Sequence, residues 1–137
     1  MVARNHGKVL ITGSIAGHVA GSFHAVYNGS KAFIDSFAAA IGNEIKDSGV
    51  TITCLKPGAT ETEFFHRAEM DDTKVGQSKK ADPADTAKTG WDAMMKGEHA
   101  VVDGLINKAT VLASGVMSEA MTAEQHRKSA EPGSGKE

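Results

Sequence analysis

Three residues in the first quarter of the chain have the types and spacing to move a proton at a single oxygen: Ser14, Tyr27 and Lys31. Tyr27 and Lys31 are four positions apart, and positions i and i+4 share one face of an α-helix. A phenol beside an ammonium is a proton-transfer device, because a neighbouring positive charge favours the phenolate. Such a charge about 4 Å away is worth about 4 kcal/mol at an effective dielectric constant of about 20. Ser14 lies at the end of an apolar run, where its hydroxyl can meet the other two from the adjacent element. Tyr27 alone would read better as a capping or packing side chain at a helix start. It is the company of Ser14 and Lys31 that points to chemistry.

The surrounding pattern supplies the elements that must hold these groups. Lys8 to Thr12 is a short strand, and the unbroken Val9-Leu10-Ile11 run suits burial on both faces of a parallel sheet. A helix is expected from Tyr27 to Asp47, with Phe33, Phe37, Ile41 and Ile45 spaced by four, Ile34 and Ala38 widening the stripe, and Asp35, Asn43, Lys46 and Asp47 facing away. Gly49 stops it. Val50 to Lys56 is a second strand, ended by Pro57-Gly58. Strand, helix, strand is a βαβ unit. Beyond it the pattern predicts a short helix over Thr60 to Met70 and a polar, mobile segment from Asp71 to Lys80. A helix capped by Asp82-Pro83 should then carry Ala87, Trp91, Met94 and Met95 on its packed side. A short strand at His99 to Asp103 and one helix from Leu105 to Met121 follow, and residues 131–137 (EPGSGKE) read as a disordered tail. The expected fold class is α/β, a partial Rossmann-like, doubly wound parallel sheet of about three strands with flanking helices.

Ser14, Tyr27 and Lys31 (a YxxxK motif), followed by Pro57-Gly58 and Thr62, resemble the catalytic half of the short-chain dehydrogenase/reductase (SDR) family over about residues 7–103. The resemblance implies that residues 1–130 are the C-terminal part of one such domain, lacking the N-terminal cofactor-binding half. It implies an NAD(P)-dependent oxidoreductase that transfers hydride between a nicotinamide cofactor, NAD or NADP, and a small carbonyl or alcohol substrate. Ser14 would hydrogen-bond the substrate oxygen, Tyr27 would be general acid/base, and Lys31 would assist Tyr27 and hold the nicotinamide ribose. Pro57, Gly58, Thr60 and Thr62 would form the nicotinamide end of the cofactor site. Thr60, Gly13 and Gly29 stand where the family more often has an aliphatic residue, a serine and an alanine. The region from Asp82 onward resembles bacterial members of unassigned substrate. A chain holding only this half should bind nicotinamide cofactor weakly by itself. It should also leave one strand edge and the Phe33/Phe37 face open, for a homo-oligomer through the 27–47 helix or for a missing N-terminal half.

Composition narrows the remaining classes. A net charge of −2 and a pI near 6.3 leave no electrostatic footprint for nucleic acid or acidic membranes. One cysteine, Cys54, forms no internal disulfide; it sits in an apolar strand as a core residue, and a reducing cytoplasm suits the chain. None of the six histidines has metal-ligand spacing, so no metal is expected. Two other readings stay open: a non-catalytic SDR remnant acting as an interaction or assembly partner, and a nucleotide-binding module built on Thr12-Gly13-Ser14-Ile15-Ala16-Gly17. Against the second, a phosphate cradle opens a helix directly after the strand, whereas here the helical pattern begins about ten residues late.

Overall fold

Three runs, Gly7–Thr12 (β1), Val50–Lys56 (β2) and Ala100–Val102 (β3), pair in the order β1-β2-β3, all parallel, in the computed structural model of the chain. It describes residues 1–136, and Glu137 lies outside the described residues. Parallel neighbours require crossovers. Ala25–Glu44 (α1) joins β1 to β2, and Phe64–Arg67 (α2), Lys74–Gln77 (α3) and Pro83–Lys96 (α4) lie between β2 and β3. Leu105–Ser114 (α5) and Glu119–Ala130 (α6) follow β3.

Side chains alternate across the sheet with the period of two that a pleated strand imposes. Ile52 and Cys54, with Val9 and Ile11, pack under Ala38, Ile41 and Ile45 of α1. Leu10 and Leu55 face the other way, toward α4. A Cβ on Gly90 would lie 2.7 Å from the Leu55 side chain, so glycine is what lets α4 approach the sheet. The α/β layering with an open three-stranded parallel sheet is the expected one.

Several local features differ from expectation. Four-residue steps precess about 40° per step around a helix with 3.6 residues per turn. The Phe33-to-Ile45 stripe therefore winds from the outer face to the sheet: Ile41 and Ile45 pack, while Phe33 and Phe37 are 68% and 47% exposed and stack on each other at 5.7 Å. Asp35, expected outside, is turned inward. On α4 the buried set is Thr86, Gly90, Ala93 and Met94, rotated by one residue from the expected face, and Trp91 is 57% exposed rather than a packing anchor. Hydroxyls of Thr86 and Thr89 donate to the two oxygens of Asp103 (2.7 and 3.1 Å), which fixes that rotation.

The polar run after Met70 is not a featureless loop. Thr73 is 2% exposed because its hydroxyl donates to Met70 O (2.7 Å) and caps α3 by accepting from Gly76 N (3.0 Å). The helix expected over 105–121 is broken at 115–118, where the Ser118 hydroxyl caps a new helix. At the C-terminal end, Ser134–Lys136 forms a 3-10 turn, and Gly135 N donates to Asp72 O (2.9 Å). Among the described residues no helix is long and apolar enough to cross a membrane.

Candidate active site

The turn leaving β1 stays clipped to the end of β2. Gly13 N donates to Leu55 O (2.8 Å) and Ile15 N to Pro57 O (3.1 Å). Ser14, in extended backbone, is buried between them; its hydroxyl accepts from Ala16 N (3.1 Å) and lies 3.4 Å from Pro57 O, to which it donates. Helix α1 begins at Ala25, so no α-helix N-terminus directly follows the strand as a phosphate cradle requires. The first turns of α1 then carry Tyr27 and Lys31. Lys31 Nζ donates to Thr12 O (3.0 Å) and lies 5.7 Å from the centroid of the Tyr27 ring, whose other neighbour is Phe64 at 5.1 Å.

One cavity of about 750 Å³ takes in all of these positions. Ser14, Tyr27, Lys31, Pro57, Gly58, Thr60 and Thr62 all line it. A cavity of that size accommodates a small organic ligand. Lys31 spends one ammonium hydrogen on Thr12 O and keeps two, and the Thr62 oxygen accepts from Phe64 N (3.3 Å) with its own hydrogen still to donate. Thr60, by contrast, spends its hydroxyl hydrogen on Gly58 O (3.1 Å). These donors fit the carboxamide and ribose end of a nicotinamide cofactor.

Beneath the Ser14 turn lies a polar cluster the helical pattern did not reveal. Asp35 and Lys56 side chains are only 9% and 15% exposed, with Lys56 Nζ 3.3 Å from Asp35 Oδ2. Lys56 also donates to His18 Nε2 (3.1 Å), and the Cys54 thiol donates to Asp35 Oδ1 (3.4 Å). Asp35 Oδ2 has ion-pair contacts but no aligned hydrogen bond. Burial, then the Lys56 charge, holds His18 below the ordinary imidazole range, partly opposed by Asp35. Burial, then the bond to Asp35, pushes the Cys54 thiol up to about 11. A Cβ on Gly13 would fall 2.1 Å from Asp35 Oδ1 and 2.9 Å from Cys54 Sγ, so glycine at 13 and the carboxylate at 35 are one packing choice. The available signal was Lys56, a charge at the end of an apolar strand on the side of Ile52 and Cys54; Asp35 falls on the expected outer face of the helix.

The far wall of the cavity was also missed. Thr122, Gln125, His126 and Ser129 of α6 line it opposite the β1 turn, together with His24, one helical turn before Tyr27. Ser22 Oγ donates to Ala123 O (2.9 Å), Ala20 N to Thr122 Oγ1 (3.4 Å), and His126 Nδ1 sits 3.0 Å from Ser22 O. The His24 and His126 rings meet edge to face at 5.1 Å. Burial lowers the pKa of both imidazoles. No local sequence signal joins positions about a hundred residues apart.

Comparison with known proteins gives the family and the fold. The family profile described as short chain dehydrogenase matches residues 1–73, and the chain belongs to that family. It is 30% identical over 76 residues to the 3-oxoacyl-acyl-carrier-protein reductase FabG of Escherichia coli, covering 56% of this chain and 31% of that protein. It is 26% identical over 89 residues to elsinochrome reductase 1 of Elsinoe fawcettii, covering 64% of this chain and 33% of that protein. Among solved structures, a study of 7beta-hydroxysteroid dehydrogenase stereoselectivity gives a TM-score of 0.70 at 19% identity, covering 90% of this chain and 49% of the other. A short-chain dehydrogenase from Sphingobium yanoikuyae in complex with NADPH gives 0.65 at 19% identity, covering 90% and 51%. The chain thus spans about a third of these curated relatives and about half of the solved neighbours.

Proposed function

We propose that this chain carries the acid/base machinery of an NAD(P)-dependent oxidoreductase acting on a carbonyl/alcohol pair. The observation that carries the reading is the convergence of Ser14, Tyr27 and Lys31 on one cavity that Pro57, Gly58, Thr60 and Thr62 also line. A bound nicotinamide supplies hydride to the substrate carbon, or takes it away. In the reducing direction Ser14 swings its one hydroxyl hydrogen from Pro57 O to the carbonyl oxygen and steadies the negative charge that develops there. The Tyr27 hydroxyl transfers its proton to that oxygen, completing the alcohol, and recovers one in the oxidising direction. Lys31, anchored on Thr12 O, places a positive charge beside the Tyr27 ring and keeps two N–H groups for ribose hydroxyls. Thr62 donates to the carboxamide. Solved neighbours are complexes with NADPH or with NAD, so the reading stops at a nicotinamide cofactor.

The test is Tyr27→Phe in the protein expressed from its own gene, assayed with NADH and NADPH against a panel of ketones. A positioned proton donor contributes about 10² to 10⁴ in rate, so a fall of less than about tenfold removes the assignment. A second reading, an SDR-derived interaction or assembly partner without catalysis, is favoured by the exposed Phe33/Phe37 pair and the open β1 edge. Under it, no ketone is turned over and Tyr27→Phe changes nothing.

A further inference from the structure

The proposed reaction leaves the chemistry of the substrate open, and the α6 end of the cavity constrains it. Among the described residues that line the cavity, Lys31 is the one formally charged side chain, and it stands at the reacting end. The rest of the wall is largely apolar, with Ile15, Val19, Phe65, Met70, Ile106 and Met117 among its members. A second ionised group on the substrate would be desolvated there without a partner, which is costly. The polar exceptions at the α6 end are Thr122, Gln125 and Ser129 together with the His24/His126 pair, and only the pair brings ring nitrogens.

The hydrogen bonding of His126 fixes what that pair offers. A carbonyl oxygen only accepts, so the 3.0 Å contact with Ser22 O requires the proton on Nδ1. Burial favours the neutral ring, in which Nε2 is then an acceptor. Among the described residues no group donates to it. His24, half-buried against the same ring, likewise has no hydrogen-bond partner for either nitrogen among the described residues. An acceptor left open in a largely apolar cavity is complementary to a ligand hydroxyl. It stands beside His24, which is about one turn, or roughly 5 Å, from Tyr27 along α1.

We propose, resting on the oxidoreductase reading above, that the substrate is an uncharged, mainly apolar carbonyl compound bearing a hydroxyl remote from the carbonyl, which donates to His126 Nε2. Residue His126 is thereby a specificity residue rather than part of the proton-transfer machinery. It holds Ser22 with one nitrogen and reads the ligand with the other.

Binding to the full chain without cofactor tests this separately from catalysis. The probes are raspberry ketone (an aryl ketone with a phenolic hydroxyl), benzylacetone (the same skeleton without it) and the analogue with a ring carboxylate in its place. One added neutral hydrogen bond predicts that raspberry ketone binds about five times more tightly than benzylacetone, with the carboxylate weakest. In His126→Asn the amide nitrogen replaces Nδ1, keeping the bond to Ser22 O but removing the ε acceptor, so the preference should vanish. In His126→Gln an acceptor remains at the ε position, and the preference should persist. Tyr27→Phe, which should abolish reduction, should leave the ratio intact, so turnover that survives Tyr27→Phe with the ratio preserved sinks the redox reading alone. The substrate proposal is overturned by equal affinities in the wild type, by a preference that survives His126→Asn, by tight carboxylate binding, or by no binding of any probe. As a check that needs no variant, the His126 Nε2 nitrogen resonance should move on adding raspberry ketone and not on adding benzylacetone; a shift with neither overturns the proposal equally.

Discussion

Replacing Lys56 by methionine isolates the polar cluster under the Ser14 turn. The ammonium lies 3.3 Å from Asp35 Oδ2, and both side chains are largely shielded from water. At an effective dielectric constant of about 20, attraction at that distance is about 5 kcal/mol, most of it offset by the cost of taking two charges out of water. Methionine removes the attraction but leaves the carboxylate buried, and breaking a buried pair in this way costs about 3–5 kcal/mol. For a domain of this size each kcal/mol lowers the melting temperature by about 4 °C, so Lys56→Met should melt some 10 °C or more below wild type. Two further readouts make the reasoning specific. Converting the partner too, in Asp35→Leu/Lys56→Met, should recover most of the loss, because a matched apolar pair is about as stable as a buried ion pair. Removing Lys56 also removes one of the influences that keep His18 neutral while leaving Asp35, which favours the charged ring. The deficit should therefore shrink at pH 6 relative to pH 8. Thermal melts followed by circular dichroism at the two pH values supply all three numbers. A single-variant loss under about 1 kcal/mol, or a double variant worse than the single, would refute the assignment of Asp35 and Lys56 as a coupled pair.

Other consequences are equally open to measurement. With the Cys54 thiol at about 11 against 9.0 for the unperturbed group, ionisation alone makes it about a hundredfold slower toward a disulfide reagent at pH 8 than in the unfolded chain; comparable rates would deny the burial. Because that folded value is raised, the stability it contributes is complete below about pH 9 and is lost as pH rises through about 11. His24 and His126 are shifted the other way, so their contribution is present above pH 6.5 and declines as pH falls through the lowered folded values. Acid should accordingly loosen α6 from the Ser22 turn, with Arg127 stacked on Phe23 nearby as a further positive charge. The acid decline in melting temperature should be smaller in His126→Asn, and parallel curves for the two proteins would contradict this. Changing Phe33 and Phe37 together to glutamate removes no core contact with the sheet, so stability should fall by less than about 1 kcal/mol. Any self-associated species seen by sedimentation velocity should dissociate in that variant, and an unchanged sedimentation profile would exclude this face as the interface.

What the sequence disclosed and what it hid follow the same physical division. Local signals were sufficient for β1, α1 and β2, because apolar runs, a helical period and a Pro-Gly stop each act within one element. They also brought Ser14, Tyr27 and Lys31 to one cavity, since a strand end and a helix start that adjoin in a βαβ unit leave little freedom. Local signals failed where a second partner decides orientation. Trp91 looked like an anchor until Asp103 claimed Thr86 and Thr89 and turned α4 by one residue. The polar run around Thr73 looked solvated because a hydroxyl that satisfies itself against its own backbone leaves no compositional trace of burial. The α6 wall depends on a contact between His126 and Ser22, 104 positions apart. Asp35 and Lys56 are the instructive intermediate case. Lys56 breaks the pattern of its strand, ending the Ile52-Cys54 face with a charge, whereas Asp35 fits the expected outer face of α1. A charge set into an apolar face demands an opposite charge on whatever packs against it, and with α1 lying on β2 the carboxylate that answers Lys56 is Asp35. The violation in the strand, which alone would count against it, is evidence for which face of the helix docks there, and it overrides the spacing-by-four stripe that puts Asp35 outside.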